Sequence, residues 1–267
     1  MHKKNILLIG GLGFIGSCFV NLFRTKYNFQ ILDTNYFQQT MDNDIQTTIK
    51  DIRNIELNDF HNIDFVVHMG ELSNDPLGEF DKDVTKKINQ EGTKKIFEMA
   101  QKSNIKKFIY MSSASIYGFS KEIMYETSLP NPLTEYAISK VENENFILEN
   151  TFAFETIILR NATAFGYSTN LRLDLVVNDL TFNGYFNKQI KLISDGQPKR
   201  PIVHIYDISN AIDMIISDER NLDKEIFNIG SNNMNFSIKQ IAETIGNTLN
   251  LEDISFGEFD SDQRSPT

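Results

Sequence analysis

Residues 5–16 read "NILLIGGLGFIG". A short apolar run leads without a break into glycines at positions 10, 13 and 16, and a helical pattern follows from Phe14 to about Tyr27. An uninterrupted apolar run of this length fits a strand covered on both faces, the usual state of strands in parallel sheets. Glycine then allows a tight passage from strand to helix. Working outward, the alternation recurs in "FQILD" (29–33), "DFVVH" (64–68), a helical pattern through 83–102, "KKFIYMS" (106–112), a helical pattern over roughly 135–150, and "ETIILR" (155–160). Strands separated by helices, with no internal repeat, predict an α/β fold with a Rossmann-like, doubly wound parallel sheet over residues 1–166.

Beyond residue 167 the rhythm changes. "LRLDLVVNDLTFNGYF" reads as a helix, "KQIKLI" and "PIVHIY" as short strands, and "DISNAIDMIIS" as a helix with Asp207 at its N-cap. "EIFNIG" reads as a strand and "SIKQIAETIGNTL" as a helix opened by Ser237. Residues 167–267 are expected to form a smaller C-terminal lobe interleaved with the last elements of the sheet.

Composition narrows the class. With 26 basic and 36 acidic residues in 267, the net charge of −10 argues against a general nucleic-acid or anionic-membrane binder. The single cysteine, Cys18, excludes an internal disulfide and reads as a packing residue of the first helix; no spacing suggests a metal site. The apolar run in "MHKKNILLIGGLGFIG" is short and broken by glycines, unlike a signal peptide, and no stretch has transmembrane length. A cytoplasmic location is the expectation.

Two patterns carry chemistry. Gly10, Gly13 and Gly16 between strand and helix let the backbone approach a pyrophosphate, with the first N–H groups of the helix, at Phe14, Ile15 and Gly16, aimed at it. Asp33 ends the second strand seventeen residues after Gly16, where a carboxylate accepts ribose hydroxyls and repels a 2′-phosphate. With no arginine in the following "TNYFQQT", NAD is favoured over NADP. The second pattern is Tyr136 and Lys140 in "PLTEYAISK" (132–140): residues four apart share a helix face, and a cation beside a phenol favours the phenolate needed by a general base. By itself the same spacing also fits a solvated helix surface.

The ordered set of motifs resembles the extended short-chain dehydrogenase/reductases of the nucleotide-sugar epimerase/dehydratase family. It comprises the glycine turn, Asp33, "DIR" (51–53), "DFVVHMG" (64–70), "INQEGT" (88–93), "MSSASIYG" (111–118), the Tyr136/Lys140 pair, "RPIVHIYD" (200–207) and "FNIG" (227–230). The resemblance implies Tyr136 as general base or acid at a sugar hydroxyl. It implies Lys140 at the nicotinamide ribose and Ser113 hydrogen-bonded to the same hydroxyl as Tyr136. It places Asp51 and Ile52 at the adenine and Met69 and Gly70 along the cofactor. Asn178 and Arg200 are implied contacts of a nucleotide diphosphate, Arg264 is a third candidate, and Thr163 stands at a sugar-recognition position. A homodimer is also implied, paired through the helix carrying Tyr136. "FILENTFAF" (146–154) fits either such a surface or the chain's own core.

Three departures shape the reading. Where many relatives carry Ala-Ala after the fourth strand, this chain has Gly70-Glu71; Glu71 fits a second acid/base, a substrate contact or a surface residue. Ala114-Ser115 follows the catalytic serine where 4,6-dehydratases of the family carry Asp-Glu, which argues against dehydration. Thr163 replaces the asparagine common in galactose-type epimerases. Relatives also continue past the "DSDQR" region, so the substrate lobe is expected to be short here. The leading expectation is an NAD-dependent epimerase of nucleotide-diphosphate sugars acting through a 4-keto sugar. A C4 dehydrogenase or 4-keto reductase, as in surface-polysaccharide or heptose pathways, and a non-catalytic NAD sensor are the alternatives.

Overall fold

The computed structural model describes residues 3–39, 41, 44–73, 81–120 and 122–257. In chain order the first strands are β1 (Asn5–Ile9), β2 (Asn28–Asp33), β3 (Gln46–Ile49), β4 (Phe65–His68), β5 (Lys107–Ser113) and β6 (Glu155–Asn161). They are followed by β7 (Thr163–Phe165), β8 (Gln189–Lys191), β9 (Lys199–His204), β10 (Glu225–Ile229), β11 (Asn235–Ser237) and β12 (Asp253–Ser255). The main sheet runs β10-β6-β5-β4-β1-β2-β3, every neighbour pair parallel. β1 lies inside it, with Ile6, Leu7, Leu8 and Ile9 wholly buried, which explains its unbroken apolar sequence. The strand order reverses between β1 and β4, and the crevice at the C-terminal edge of that reversal is where open α/β sheets take their ligands.

The pleat divides the core in two. On one face Ile6, Leu8, Ile31 and Val67 meet Phe19 and Val20 of α1 (Phe14–Phe23). On the other, Leu7, Ile9, Val66 and Phe108 meet Ile96 and Phe97 of α2 and Ile147 of α3 (Glu135–Glu149). α2 is continuous through Lys82–Thr85, a π-helical stretch Lys86–Gly92, and Thr93–Ala100. The phenylalanines of "FILENTFAF" close this second core: Phe152 lies 4.8 Å from Phe97 and 5.4 Å from Phe154, and Phe154 is buried. Phe154 belongs to the chain's own interior, and Phe146 and Phe152 are half-buried against it.

The remaining helices are α4 (Val176–Asn187), α5 (Ile205–Ser217) and α6 (Ile238–Leu249). α5 returns to the main sheet beside α1, placing Ile208, Ile212 and Ile216 in the first core. α4 and α6 pack over the small sheets β11-β9-β7 and β12-β8 through Leu180, Ile190, Ile202 and Ile241. Ser237 opens α6 as expected, its hydroxyl accepting from Gln240 N while the Gln240 side chain caps Ser237 N.

Three local readings change. α4 starts at Val176 rather than in the preceding "LRLDL". His204, not Asp207, caps α5, its Nδ1 accepting from Tyr206 N at 3.2 Å. Ile205 and Ile208 are wholly buried, and the helix must begin early enough to seat both; Asp207 then falls in the first turn, where a carboxylate favours the helix dipole. β3, "QTTI", was not expected because an edge strand half open to water needs no apolar run.

Candidate active site

The glycine turn lies at the strand-order reversal. Gly10 has φ +79°, its N–H donates to Leu32 O (2.8 Å), and it abuts the backbone of Gly70 beyond β4. A Cβ at Gly10 would stand 2.5 Å from Gly70 Cα, and one at Gly16 2.5 Å from Gly11 O. Met69 N donates to Ile9 O (2.9 Å), so the ends of β1 and β4 are tied side by side. Gly13 is the N-cap of α1 with no side-chain cap, which leaves the N–H groups of Phe14, Ile15 and Gly16 at a helix end open to an anion.

Asp33 faces this turn: Oδ2 accepts from Leu12 N (3.1 Å) and Oδ1 from Asn35 N (2.8 Å). Each oxygen retains a lone pair for a ribose hydroxyl. A close backbone cradle, a free helix N-terminus and a carboxylate at the end of β2 together fit a dinucleotide without a 2′-phosphate. Asp51 caps the 3-10 turn Ile52–Asn54 and forks onto Arg53 (3.0 and 2.7 Å), and this pairing holds its carboxyl below the usual range. Ile52 is buried beneath Gly92, whose Cβ would lie 2.7 Å from Ile52 Cδ1.

Ser113 ends β5 and begins the 3-10 turn Ala114–Tyr117, its Oγ accepting from Ser115 N (3.2 Å) and Ser115 Oγ (2.9 Å). Tyr136 and Lys140 share a face of α3, which Thr134 caps by accepting from Ala137 N. Lys140 is buried and ties α3 to β5 by donating to Met111 O at 2.6 Å. Its Nζ lies 5.6 Å from the Tyr136 ring centroid and 4.8 Å from that of Tyr110.

Glu71 is no surface residue. Its side chain is 3% exposed and its Oε2 lies 2.8 Å from Lys140 Nζ. Oε1 accepts from Thr93 Oγ1 (2.9 Å) and Asn143 Nδ2 (3.1 Å) and stands 3.5 Å from His68 Nε2. Burial pushes the Glu71 carboxyl up, but the Lys140 ammonium and His68 outweigh it and bring it down to about 2. Burial holds His68 below its ordinary value, so the ring is neutral near pH 7. Burial and the neighbouring Glu71 push the Tyr110 phenol well up.

Sequence reasoning did not pick out the groups that hold this pair. Asn89, in the π-helical turn of α2, clamps Leu72 from both sides: Leu72 N donates to its Oδ1 (2.8 Å) and its Nδ2 donates to Leu72 O (3.1 Å). Asn143 bridges Glu71, Asn89 O and Tyr110 Oη. One turn beyond Lys140, Glu144 forms a buried ion pair with Arg160 (2.6 Å) and accepts from Ser112 Oγ (2.5 Å). Arg160 also donates to Tyr117 Oη (2.8 Å). Asn89 and Tyr117 do stand inside quoted motifs, "INQEGT" and "SIYG", and that is their only signal.

The candidate substrate residues are dispersed. Thr163 begins β7 opposite Ile202. Asn178, buried in the first turn of α4, accepts from Gly166 N (3.1 Å) and donates to Arg172 O (2.9 Å), so its amide shapes the loop. Arg200 on β9 donates to Lys199 O (3.1 Å). Arg172 reaches Ser73, two residues past Glu71, at 2.8 Å. Arg264 lies outside the described residues. Cys18 is buried against α5, where Ser209 Oγ is 3.7 Å from its sulfur. Among the described residues no helix is long and apolar enough to cross a membrane.

A model of the NAD dependent epimerase/dehydratase family matches residues 6–230. A putative UDP-glucose 4-epimerase of Methanocaldococcus jannaschii is 29% identical over 243 residues, 85% of this chain and 76% of that one. The dTDP-D-glucose 4,6-dehydratase of Homo sapiens is 25% identical over 260 residues, 91% of this chain and 73% of the human one. The structure of UDP-N-acetylglucosamine 4-epimerase from Methanobrevibacter ruminantium M1 has the same fold, with a TM-score of 0.88 at 21% identity over 99% of this chain and 88% of the other. The chain belongs to the NAD dependent epimerase/dehydratase family, as an enzyme whose cofactor is NAD.

Proposed function

We propose that the protein is a nucleotide-sugar epimerase that inverts a sugar carbon through transient oxidation at C4 to a 4-keto sugar. The observation that carries this reading is that Lys140, 5.6 Å from the Tyr136 ring, ties α3 to Met111 O, two residues before Ser113 on β5 and one strand from the Gly10–Gly70 crevice. In this reading residues 1–166 hold the cofactor and the catalytic groups, and 167–267 hold most of the nucleotide-diphosphate sugar.

Tyr136 Oη removes the proton from the C4 hydroxyl and later returns it. Ser115 Oγ donates to Ser113 Oγ, which frees the Ser113 proton to hydrogen-bond the C4 oxygen and hold it in place. Lys140, anchored at Met111 O beside the Tyr136 ring, holds the nicotinamide ribose. Bound NAD supplies the hydride acceptor, and hydride return to the other face of the ketone inverts C4. Elimination of water would need an acid and a base after Ser113, and Ala114 and Ser115 supply neither. Thr163 and Arg200 are the proposed sugar and diphosphate contacts, with Asn178 acting through the backbone it holds.

The test is incubation of the purified protein with NAD and a panel of UDP- and dTDP-sugars, reading sugar configuration by NMR and NADH by absorbance. Equilibration of two epimers without net NADH is expected. Net NADH would replace epimerase by dehydrogenase, and NAD binding without turnover on any sugar would point to a sensor. Tyr136→Phe is expected to keep NAD affinity and lose turnover by roughly 10²–10⁴-fold; unchanged turnover refutes its role.

A further inference from the structure

The geometry points to Glu71 as the counter-ion that keeps the catalytic lysine charged and in place. This assignment rests on the proposed role of Lys140 at the cofactor. The Lys140 side chain is 5% exposed, and a buried ammonium with no carboxylate beside it readily gives up its proton. Every element around it bears on that charge: Glu71 and His68 from β4 and the loop after it, Tyr110 from β5, and Tyr136 and Glu144 from α3 itself. His68 is neutral near pH 7, Tyr110 offers its ring face, and Glu144 is already paired with Arg160 and Ser112. Among the described residues, Glu71 alone places a carboxylate oxygen on the ammonium, at 2.8 Å.

The fold is built to keep that oxygen there. Thr93 and Asn143 hold the other carboxylate oxygen, and Asn89 grips the backbone of the next residue, Leu72, on both sides. Met111 O accepts one of the three ammonium hydrogens, while Glu71 Oε2 stands against the ammonium as its ion-pair partner at 2.8 Å. Burial works against the charge on Lys140, yet Glu71 raises the ammonium above its ordinary value. Protonated lysine is therefore retained through the whole neutral and mildly alkaline range, and Glu71 is a positioning residue rather than a second acid or base.

The experiment is NAD titration by calorimetry of the unaltered protein and of Glu71→Gln, at about pH 7 and about pH 9. The unaltered protein is expected to bind NAD equally at both. Glu71→Gln is expected to lose roughly tenfold in affinity between them, as the unsupported lysine deprotonates. Glu71→Asp, which keeps the charge, is expected to restore most of the alkaline affinity. A Glu71→Gln variant with the flat profile of the unaltered protein overturns the assignment. Should Glu71→Gln fail to fold, Glu71→Gln/Lys140→Met, which buries neither charge, is expected to fold; a double variant as unstable as the single one also overturns it. An unaltered protein that binds no NAD at either pH counts against the proposed function, while the two stability measurements still decide the ion pair.

Discussion

Two substitutions three residues apart, Gly10→Ala and Gly13→Ala, are expected to fail in different ways. At Gly10 the backbone is left-handed, φ +79°, which costs an alanine about 1–2 kcal/mol. The added methyl would stand 2.5 Å from Gly70 Cα and 2.6 Å from Gly70 N. Those are backbone atoms, and the segment cannot swing aside while Gly10 N is bonded to Leu32 O and Met69 N to Ile9 O. Overpacking of this kind adds about 1–3 kcal/mol. A total near 3 kcal/mol corresponds to a fall in Tm on the order of 10 °C for a domain of this size. At Gly13 φ is −72° and the nearest atom is Gly10 O at 3.2 Å, so an alanine fits after a small shift. Its cost is that of a poorer N-cap, roughly 0.5–1 kcal/mol. With the pyrophosphate at this turn, as proposed, the methyl would crowd it, and NAD binding is expected to weaken by about tenfold, or 1.4 kcal/mol. Thermal unfolding without cofactor and calorimetric titration with NAD separate the two effects. A Gly10→Ala protein that melts with the unaltered one, or a Gly13→Ala protein with normal NAD affinity, refutes the reasoning.

Glu144→Gln keeps the shape of the side chain but leaves the Arg160 guanidinium buried without a counter-charge, and should cost about 3–5 kcal/mol by denaturant unfolding; a loss below about 1 kcal/mol would mean that Tyr117 and Glu126 O suffice. Asp33→Asn should bring the affinities for NADP and NAD about tenfold closer, because the carboxylate that repels a 2′-phosphate is gone; an unchanged ratio would place the adenosine ribose elsewhere. Because the folded Glu71 carboxyl is depressed to about 2, its contribution to stability is complete above its ordinary value near 4.5 and is lost as pH falls through that interval. Melting temperatures followed from about pH 6 down to about pH 3 should therefore fall less steeply for Glu71→Gln than for the unaltered protein; parallel curves would exclude the linkage.

The parallel sheet was legible because its inner strands are buried on both faces and carry that burial as unbroken apolar runs such as "NILLI" and "FIYM". β3 left no such trace, since "QTTI" sits at an edge and three of its four residues are exposed. Gly10 was legible because a turn with positive φ against another backbone admits only glycine. The start of α5 was misplaced because Asp207 is the cap the sequence marks, whereas the depth at which Ile205 and Ile208 must be buried moves the start back to His204.

The polar interior under α3 was illegible for a different reason. A buried asparagine, tyrosine or glutamate looks like an exposed one in sequence, because what distinguishes it is the partner, and its partners are remote in the chain. Glu71, Asn89, Tyr110 and Asn143 span more than seventy residues yet form one hydrogen-bonded group. Their meeting follows from register: β4 lies between β1 and β5, so its C-terminal end sits beside both the glycine turn and the lysine. Gly70 then packs on Gly10 and, one residue later, Glu71 meets Lys140. A single short segment, held at Leu72 by Asn89, thereby carries both the close contact with the glycine turn and the ion pair with Lys140. The departure from Ala-Ala at positions 70 and 71 makes physical sense in these terms. A glycine was required by the close backbone contact, and the glutamate balances a lysine that the fold has removed from water.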